Sequence, residues 1–460
     1  MLLGLTSAET YRSNNFVAAS DRRRVFYEYP NGAAPLIGLL SMMEEENTDN
    51  SQFGWFEKRF KMPRTTLGSI GVGDGAWSPT GSDTAIASPF NMVAGTVYRM
   101  VVADSSEFRV SDSVWIQDHL ITAGTGHIKG IVTEIVSATK IEIRAAQAVT
   151  GVTNDVDTHT PVLITLGTAY AEGSNSGTGK YTLPVNPSNY TQIFKSAFSF
   201  TSTALKHPTT FDRTGAYKDK AKENLISHMV GMEYAFLFGT RRYNTVTTVD
   251  SEVVQETLTG GILWFLEQWE LGNVANGGAF DYRPSGSYDS TDVSGAADSH
   301  DLKRVIENTT GTISKREWDD ILKKAFDRTN DRSHEKICLC GAGFLKAVNE
   351  MFESYSMTTK NYPATETYGM NVTTQETPFG TLHFKTHPLF TRDPSLQYSG
   401  FIIDMQNLNY RPLNDRDTIL LKNLQANDAD RRKDQWLTEA GLEIDYPESC
   451  MFIRNLQRIT

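Results

Sequence analysis

The chain has 460 residues, 39% hydrophobic and 10% aromatic, enough for roughly two to four domains with a sizeable core. Its net charge of -11 argues against a protein that coats nucleic acid through a basic face and leaves room only for a local basic strip. Three cysteines, Cys338, Cys340 and Cys450, are too few and odd in number for a disulfide framework and fit a reducing cytoplasm. No stretch approaches the ~18–20 uninterrupted apolar residues of a membrane span.

The start, "MLLGLTSAETYRSNN", has no basic n-region and is not read as a signal peptide. The first fifty residues read as an arm. "DRRRVFYEYPNGAAPLIGLLSMM" buries Phe26, Tyr27, Tyr29, Leu36, Leu39 and Leu40 only against something else. "EEENTDN" is a solvated acidic turn, and "QFGWFEKRFKM" alternates apolar and polar residues, with Phe53, Trp55 and Phe60 surrounding Glu57, Lys58 and Arg59, which suits a strand with one apolar face. From about 91 to 167 five strand-like runs follow: "TVYRMVV", "SVWIQD", "KGIVTEIV", "TKIEIRA" and "PVLITL". They predict a small barrel or sandwich inserted between two Gly/Ser-rich hinges, "GVGDGAWSPTGSDTA" and "AEGSNSGTGK".

A long helix comes next. Ala221, Leu225, Met229, Met232 and Phe236 make one stripe at helical spacing, and Gly239 is its stop. An α/β region follows. "LTGGILWFLEQW" is a turn into a helix, Ser314 and Glu317 form a capping box, and "EKICLCGAGFLKAVNEMF" is a strand, a glycine turn and a helix. The remainder is strand-rich: "FGTLHFKTHPLF", "SGFIIDMQNLNYRPL", "DTILLKNLQ" and "KDQWLTEAGLEIDYPESCMFIRNL".

Chemistry is hard to nominate. "GSNSGTGKYT" mimics a phosphate loop, but Ser174 stands where the first Gly belongs, Tyr181 replaces the metal-binding hydroxyl, and Pro184 and Pro187 forbid the helix that must follow. Cys338 and Cys340 share one strand face and read as core. His383 and His387 lie four apart in a strand-like segment, where that spacing spans roughly 13 Å and suits no shared zinc. Glu44-Glu45-Glu46 and the Asp428, Asp430 pair lack calcium-loop order. No catalytic, cofactor-binding or metal-ligating residue is assigned, and no cofactor is expected.

The order of parts resembles the Hong Kong 97 fold of major capsid proteins in tailed bacteriophages. "MVGMEYAFLFG", "TLTGGI", "CGAGFLKAVNEM", "FGTLHF" and "EAGLEIDYPESCMFIRNL" are similar to the branch typified by the SU-type enterophage capsid protein. The resemblance implies an α+β fold in several parts. Residues 1–50 are the N-terminal arm, and 51–205 an extended loop carrying the β-barrel-like insertion at about 91–167. Residues 206–255 are a peripheral domain with a spine helix at about 217–239, 256–412 an axial domain, and 413–460 the return to the peripheral domain.

It also implies a structural protein rather than an enzyme. Its partners would be itself, in pentamers and hexamers of an icosahedral shell, with a scaffolding protein, a portal and a decoration protein. The shell would enclose double-stranded DNA without sequence-specific binding and without a membrane. It would be assembled in the host bacterial cytoplasm and end in the virion. No scaffolding-like helical segment is seen at the N-terminus, which implies a separate scaffold or a removed leader. Some relatives cross-link a Lys to an Asn of a neighbour; Lys180 qualifies by location only, and no catalytic acid supports that role.

The residues point the same way, because an arm and a long apolar excursion that cannot bury themselves need neighbours. Phe26, Tyr27, Tyr29, Leu36, Phe53, Trp55 and Phe60 are therefore candidate inter-subunit contacts. The alternatives are a non-viral shell of the encapsulin type, an enzyme with an inserted β domain, and a minor virion or tail component.

Overall fold

The computed structural model describes residues 34–40, 46–58, 64–72, 90–117, 127–152, 161–177, 179, 184, 186–206, 216–247, 253–271, 304–327, 334–354, 362–367 and 370–459. These separate into two compact units.

One unit lies between Phe56 and Asn186 in the chain. Six strands close into an antiparallel barrel in the order Arg64–Val72, Val97–Val102, Lys140–Ala145, Ile128–Ser137, Asp112–Gln117, Val162–Thr168 and back to the first. Alternation drives it. Tyr98, Met100 and Val102 point inward from one strand, and Ile141, Ile143 and Ala145 from its neighbour. Register shifts interrupt the ladders at Leu67/Ser69, Ser113/Val114 and Val132/Glu134, and such bulges add the local twist that closure needs. Gly130 sits at a tight crossing: a β-carbon there would lie 2.3 Å from Ile143 Cγ2 and 2.7 Å from the Arg144 carbonyl oxygen. A short hairpin-like pair, Phe90–Met92 with Val149–Val152, adds Met92, Val149 and Val152 to the same core.

The sequence predicts five strands beginning near residue 91. The sixth, Arg64–Val72, begins earlier and runs into the stretch read as the outgoing hinge. Its pattern is hidden because the bulge flips the face between Leu67 and Ile70, both buried, so no period of two survives. Pairing of Arg64 with Ile164 brings the two ends of the insertion side by side. The return hinge is irregular from Ala169 to Gly177, and the next described element is the strand Ser188–Tyr190, not a helix.

The other unit is built on two large sheets. The first is built on the 14-residue strand Arg431–Ile444, which pairs along one edge with Gln192–Thr201 and along the other with Ile419–Leu421 and Leu408–Pro412. Helix α1 (Ala216–Phe238) packs on it. Of the predicted stripe, Met232 and Phe236 are buried, whereas Ala221, Leu225 and Met229 are half-buried. His228, Glu233 and Leu237 complete the buried face. The helix ends before Gly239, as its sequence predicts.

The second sheet has seven strands in the order Val305–Glu307, Met451–Arg454, Gly400–Ile403, Glu335–Cys340, Gly380–Thr386, Met370–Thr377, Tyr362–Thr367. Helices α2 (Lys315–Asp327) and α3 (Ala342–Ser354) cover one face. Their Trp318, Leu322, Phe344 and Val348 meet Cys338, Cys340, Leu382 and Ile402 of the sheet. The capping box at the start of α2 is formed: Ser314 Oγ accepts from the Glu317 amide at 3.3 Å, and Glu317 Oε2 accepts from the Ser314 amide at 2.6 Å. Residues after 413 supply strands to both sheets.

Because the barrel closes on itself around its own core, a fragment spanning residues 61–170 is expected to fold alone. Its far-UV circular dichroism should be β-type with a cooperative thermal transition. A random-coil spectrum would contradict the self-contained barrel.

Candidate functional site

The predicted contact residues divide. Phe26, Tyr27, Tyr29 and Phe60 lie outside the described residues. Leu36, Phe53 and Trp55 are buried within the subunit. Phe53 lies on the strand Gln52–Gly54, which pairs with Ser188–Tyr190, and its ring rests where the long strand carries Gly441. A β-carbon at Gly441 would approach that ring to 2.5 Å. Trp55 stacks with Phe53 at 6.3 Å and tilts against Phe265 at 6.1 Å. Exposed apolar side chains occur elsewhere, on the two-stranded ribbon Arg242–Thr247 with Val253–Leu258: Tyr243, Val246, Val253 and Val254.

Leu36 belongs to the short helix Pro35–Leu40, whose Leu36, Leu39 and Leu40 are all buried. Its leading amides find their acceptor on α1. Glu233 Oε1 accepts from the Leu36 amide at 2.8 Å, and Oε2 accepts from the Ile37 amide at 2.8 Å. His387 Nε2 lies 2.9 Å from Glu233 Oε1, and both side chains are fully buried. The other ring nitrogen, Nδ1, accepts from the Leu389 amide at 3.2 Å, so Nε2 carries the proton and donates to Glu233. Sequence reasoning missed both residues. Glu233 lies one position past the stripe residue Met232, and His387 was weighed only as a zinc ligand.

Three of the five motifs that carry the resemblance, "MVGMEYAFLFG", "TLTGGI" and "EAGLEIDYPESCMFIRNL", meet at the end of α1. The Gly261 amide donates to the Gly239 carbonyl at 2.8 Å. A β-carbon at Gly261 would lie 2.7 Å from the Ala235 oxygen, and one at Gly239 would lie 2.3 Å from the same atom. Only glycines permit this approach of helix end and turn. Asn189 stitches the turn to the sheet: its side chain donates to Gly260 O at 3.1 Å and Leu442 O at 2.7 Å, and accepts from the Gly260 amide at 2.8 Å. Phe238, the last residue of α1, sits among Phe390, Phe401 and Phe452 at 5.9, 5.4 and 6.3 Å.

Among the described residues no constellation for catalysis or metal binding emerges. His383 and His387 do not converge: His383 Nδ1 pairs with Thr374 Oγ1 at 3.0 Å across the sheet. His228 bridges Ser196 Oγ and Thr438 Oγ1 at 2.9 and 2.8 Å, and burial pushes its pKa down. Among the described residues no group of three His, Cys, Asp or Glu side chains could hold a metal. Among them, too, no helix is long and apolar enough to cross a membrane.

The decisive comparison is with protein families. A family model described as the SU10 major capsid protein matches residues 20–457. The chain belongs to that family. It is a major capsid protein, a structural subunit that self-assembles into the icosahedral head shell enclosing a phage genome. Its mixed helix-and-strand architecture is the Hong Kong 97-like capsid fold.

Solved structures similar to the capsid protein include three shells. The capsid of a native GTA particle has 10% identity and a TM-score of 0.43, covering 98% of this chain and 99% of that one. The Mycobacterium phage Bobi structure has 7% identity and a TM-score of 0.41, covering 97% and 98%. The holo-SrpI encapsulin complex of Synechococcus elongatus PCC 7942 has 7% identity and a TM-score of 0.36, covering 59% and 76%. At such TM-scores the assignment rests on the family match alone. No curated protein sequence matches the chain.

The seven-stranded sheet of the capsid protein carries one unusual charge. Lys336 is buried, and its Nζ donates to the Ala325 and Ser449 carbonyls at 2.6 and 2.5 Å. Burial lowers its pKa from 10.5 to about 8, against the attraction of Cys450 and Asp404. Between those values the unfolded chain keeps a proton that the folded chain has released, so stability rises with pH. This contribution is complete above the unfolded value and is lost as pH falls through about 8. Lys336→Met should remove it. From pH 7.5 to 9.5 the unfolding free energy of the wild-type chain should rise relative to the variant by about 2 kcal/mol. Chemical denaturation at the two pH values checks this, and a difference that stays flat or falls would refute the depressed lysine.

Proposed function

We propose that the capsid protein works by assembly alone. Its copies form pentamers and hexamers that close into a shell around double-stranded DNA, without sequence-specific contacts and without enzymatic activity. A scaffolding protein, a portal and a decoration protein are its partners, and the shell is built in the host bacterial cytoplasm. The observation that carries this reading is the family match across residues 20–457. The net charge of -11 supports it, because an acidic chain encloses a polyanion without gripping it.

In this reading residues 1–50 are the arm and 51–205 the extended loop, whose part before Ser188 overlaps a neighbour while Gln192–Thr201 stays in the subunit's own sheet. Residues 206–255 and 413–460 make the peripheral domain, and 256–412 the axial domain at the capsomer centre. Phe26, Tyr27, Tyr29 and Phe60 serve as inter-subunit contacts. Leu36, Phe53 and Trp55 act from inside the subunit, by fixing the root from which arm and loop depart.

The test is expression with and without the co-encoded scaffold, followed by electron microscopy and analysis of particle contents. Closed shells that package nucleic acid are expected. Shells filled with a cargo protein would favour the encapsulin reading, and absence of shells with scaffold present would refute the assembly reading. A chain lacking residues 1–33 keeps the buried helix Pro35–Leu40 and should remain folded and soluble, yet form no normal shells. Normal particles from that deletion would refute the arm assignment.

A further inference from the structure

The helix Pro35–Leu40 is only six residues long, too short to persist on its own, and no acidic residue stands in its first turn. Two of its leading amides are nevertheless satisfied by one buried carboxylate that belongs to α1, about 200 positions later in the chain. That carboxylate accepts a third hydrogen bond, from His387. We propose that Glu233, oriented by His387, is the positioning residue that anchors the arm to its own subunit and so fixes where residues 1–33 leave it. The role in assembly rests on the arm reading given above.

Three observations carry the anchor. First, the chemistry is matched. Glu233 faces three N–H donors, from Leu36, Ile37 and His387, and an ionised carboxylate is acceptor-only. Bonds of this kind to a charged acceptor are the strong ones. A glutamine would turn its NH2 group toward one of those donors. Second, His387 is itself held on every side. Its amide donates to the Cys340 carbonyl at 2.7 Å, its Nδ1 caps the helix Pro388–Arg392, and its ring stacks on Phe390 at 4.4 Å. The proton it presents to Glu233 is therefore fixed in direction, and α1 is tied through it to the seven-stranded sheet. Third, the docking is to the same chain. Glu46 and Thr48 donate their amides to the Tyr410 and Pro412 carbonyls, which pins the chain just beyond the helix to the sheet under α1. The five intervening residues reach at most roughly 20 Å, so the helix cannot seat on a distant copy.

The experiment uses the full-length chain with Glu233→Gln, Glu233→Ala, His387→Gln and the Glu233→Gln/His387→Gln double variant. Exposed Glu223→Gln on the same helix serves as control. Hydrogen exchange is read by mass spectrometry on peptides covering residues 34–40 and, as an internal reference, on peptides of the strand Arg431–Ile444. The arm-helix peptide should exchange roughly ten-fold faster or more in Glu233→Ala, less so in Glu233→Gln, with the reference peptide unchanged. His387→Gln, which touches no arm residue, should accelerate the same peptide, and the double variant should exceed Glu233→Gln only slightly, because both act through one network. The same preparations are assembled and imaged, and shells should be lost or irregular in the order of the exchange rates.

Unchanged exchange in Glu233→Ala, or fully additive effects in the double variant, would overturn the anchor. Accelerated exchange in variants that still build normal shells would overturn its role in assembly. The deletion of residues 1–33 then decides separately whether the arm matters at all. A variant whose reference peptide also opens is judged on the milder Glu233→Gln.

Discussion

The subunit depends on one antiparallel ladder, between Gln192–Thr201 and Arg431–Ile444. It joins segments roughly 230 to 250 positions apart, a closure whose entropy only a long, well-buried pairing can offset. Ten residue pairs supply that length, and everything else is hung on it. Helix α1 packs on this sheet and buries Met232 and Phe236. Gly441 leaves room for Phe53, which brings the chain from before the barrel insertion onto the same strand. With the closure made at this point, the segment before Ser188 can carry an inserted barrel. The segment between the two strands can likewise form most of a second sheet, to which Met451–Arg454 adds one strand from beyond the ladder.

The same economy explains why the resemblance could be carried by short motifs. Gly239 and Gly261 are the places where the end of α1 and the following turn approach backbone to backbone, and Gly260 is crowded by the side chains of Asn189, Arg241 and Trp264. A side chain at Gly239 or Gly261 would collide with the Ala235 carbonyl, so the spacing of these glycines is a geometric necessity of this joint. Phe238 then fills the gap that the joint opens, packing on Phe390, Phe401 and Phe452. A motif of small residues next to an aromatic run is what such a joint looks like when written as sequence.

Legibility followed the physics of each element. The helix 216–238, the α2 capping box and the Cys338–Cys340 strand were visible because local periodicity and capping chemistry decide them. Five of the six barrel strands were visible for the same reason, while Arg64–Val72 was hidden by its own bulge. The polar groups that organise the interior were not legible. Glu233, His387 and Asn189 find their partners across the chain, and no local pattern announces that an acidic residue beside a stripe will be buried. Leu36, Phe53 and Trp55 look orphaned in sequence because the surfaces that bury them lie far along the chain.

The burial of Leu36, Phe53 and Trp55 bears on how a shell subunit must be built. A chain whose arm and loop stayed wholly unsatisfied until a neighbour arrived would expose a large apolar surface during its free lifetime, the condition that favours indiscriminate aggregation. Here the helix Pro35–Leu40, the root of the proposed arm, is consumed inside the subunit, by apolar burial of Leu36, Leu39 and Leu40 and by hydrogen bonds to a buried carboxylate. What remains for neighbours starts from a fixed point. A tether with a fixed origin samples a small volume, which raises its effective concentration at an adjacent subunit and lowers it at wrong ones. Directional contacts repeated from every copy can close a shell; the same contacts from floppy roots would give open or irregular polymers. If the segment before this helix is the arm proposed above, the internal satisfaction of its root is part of how a single chain type can build a closed particle.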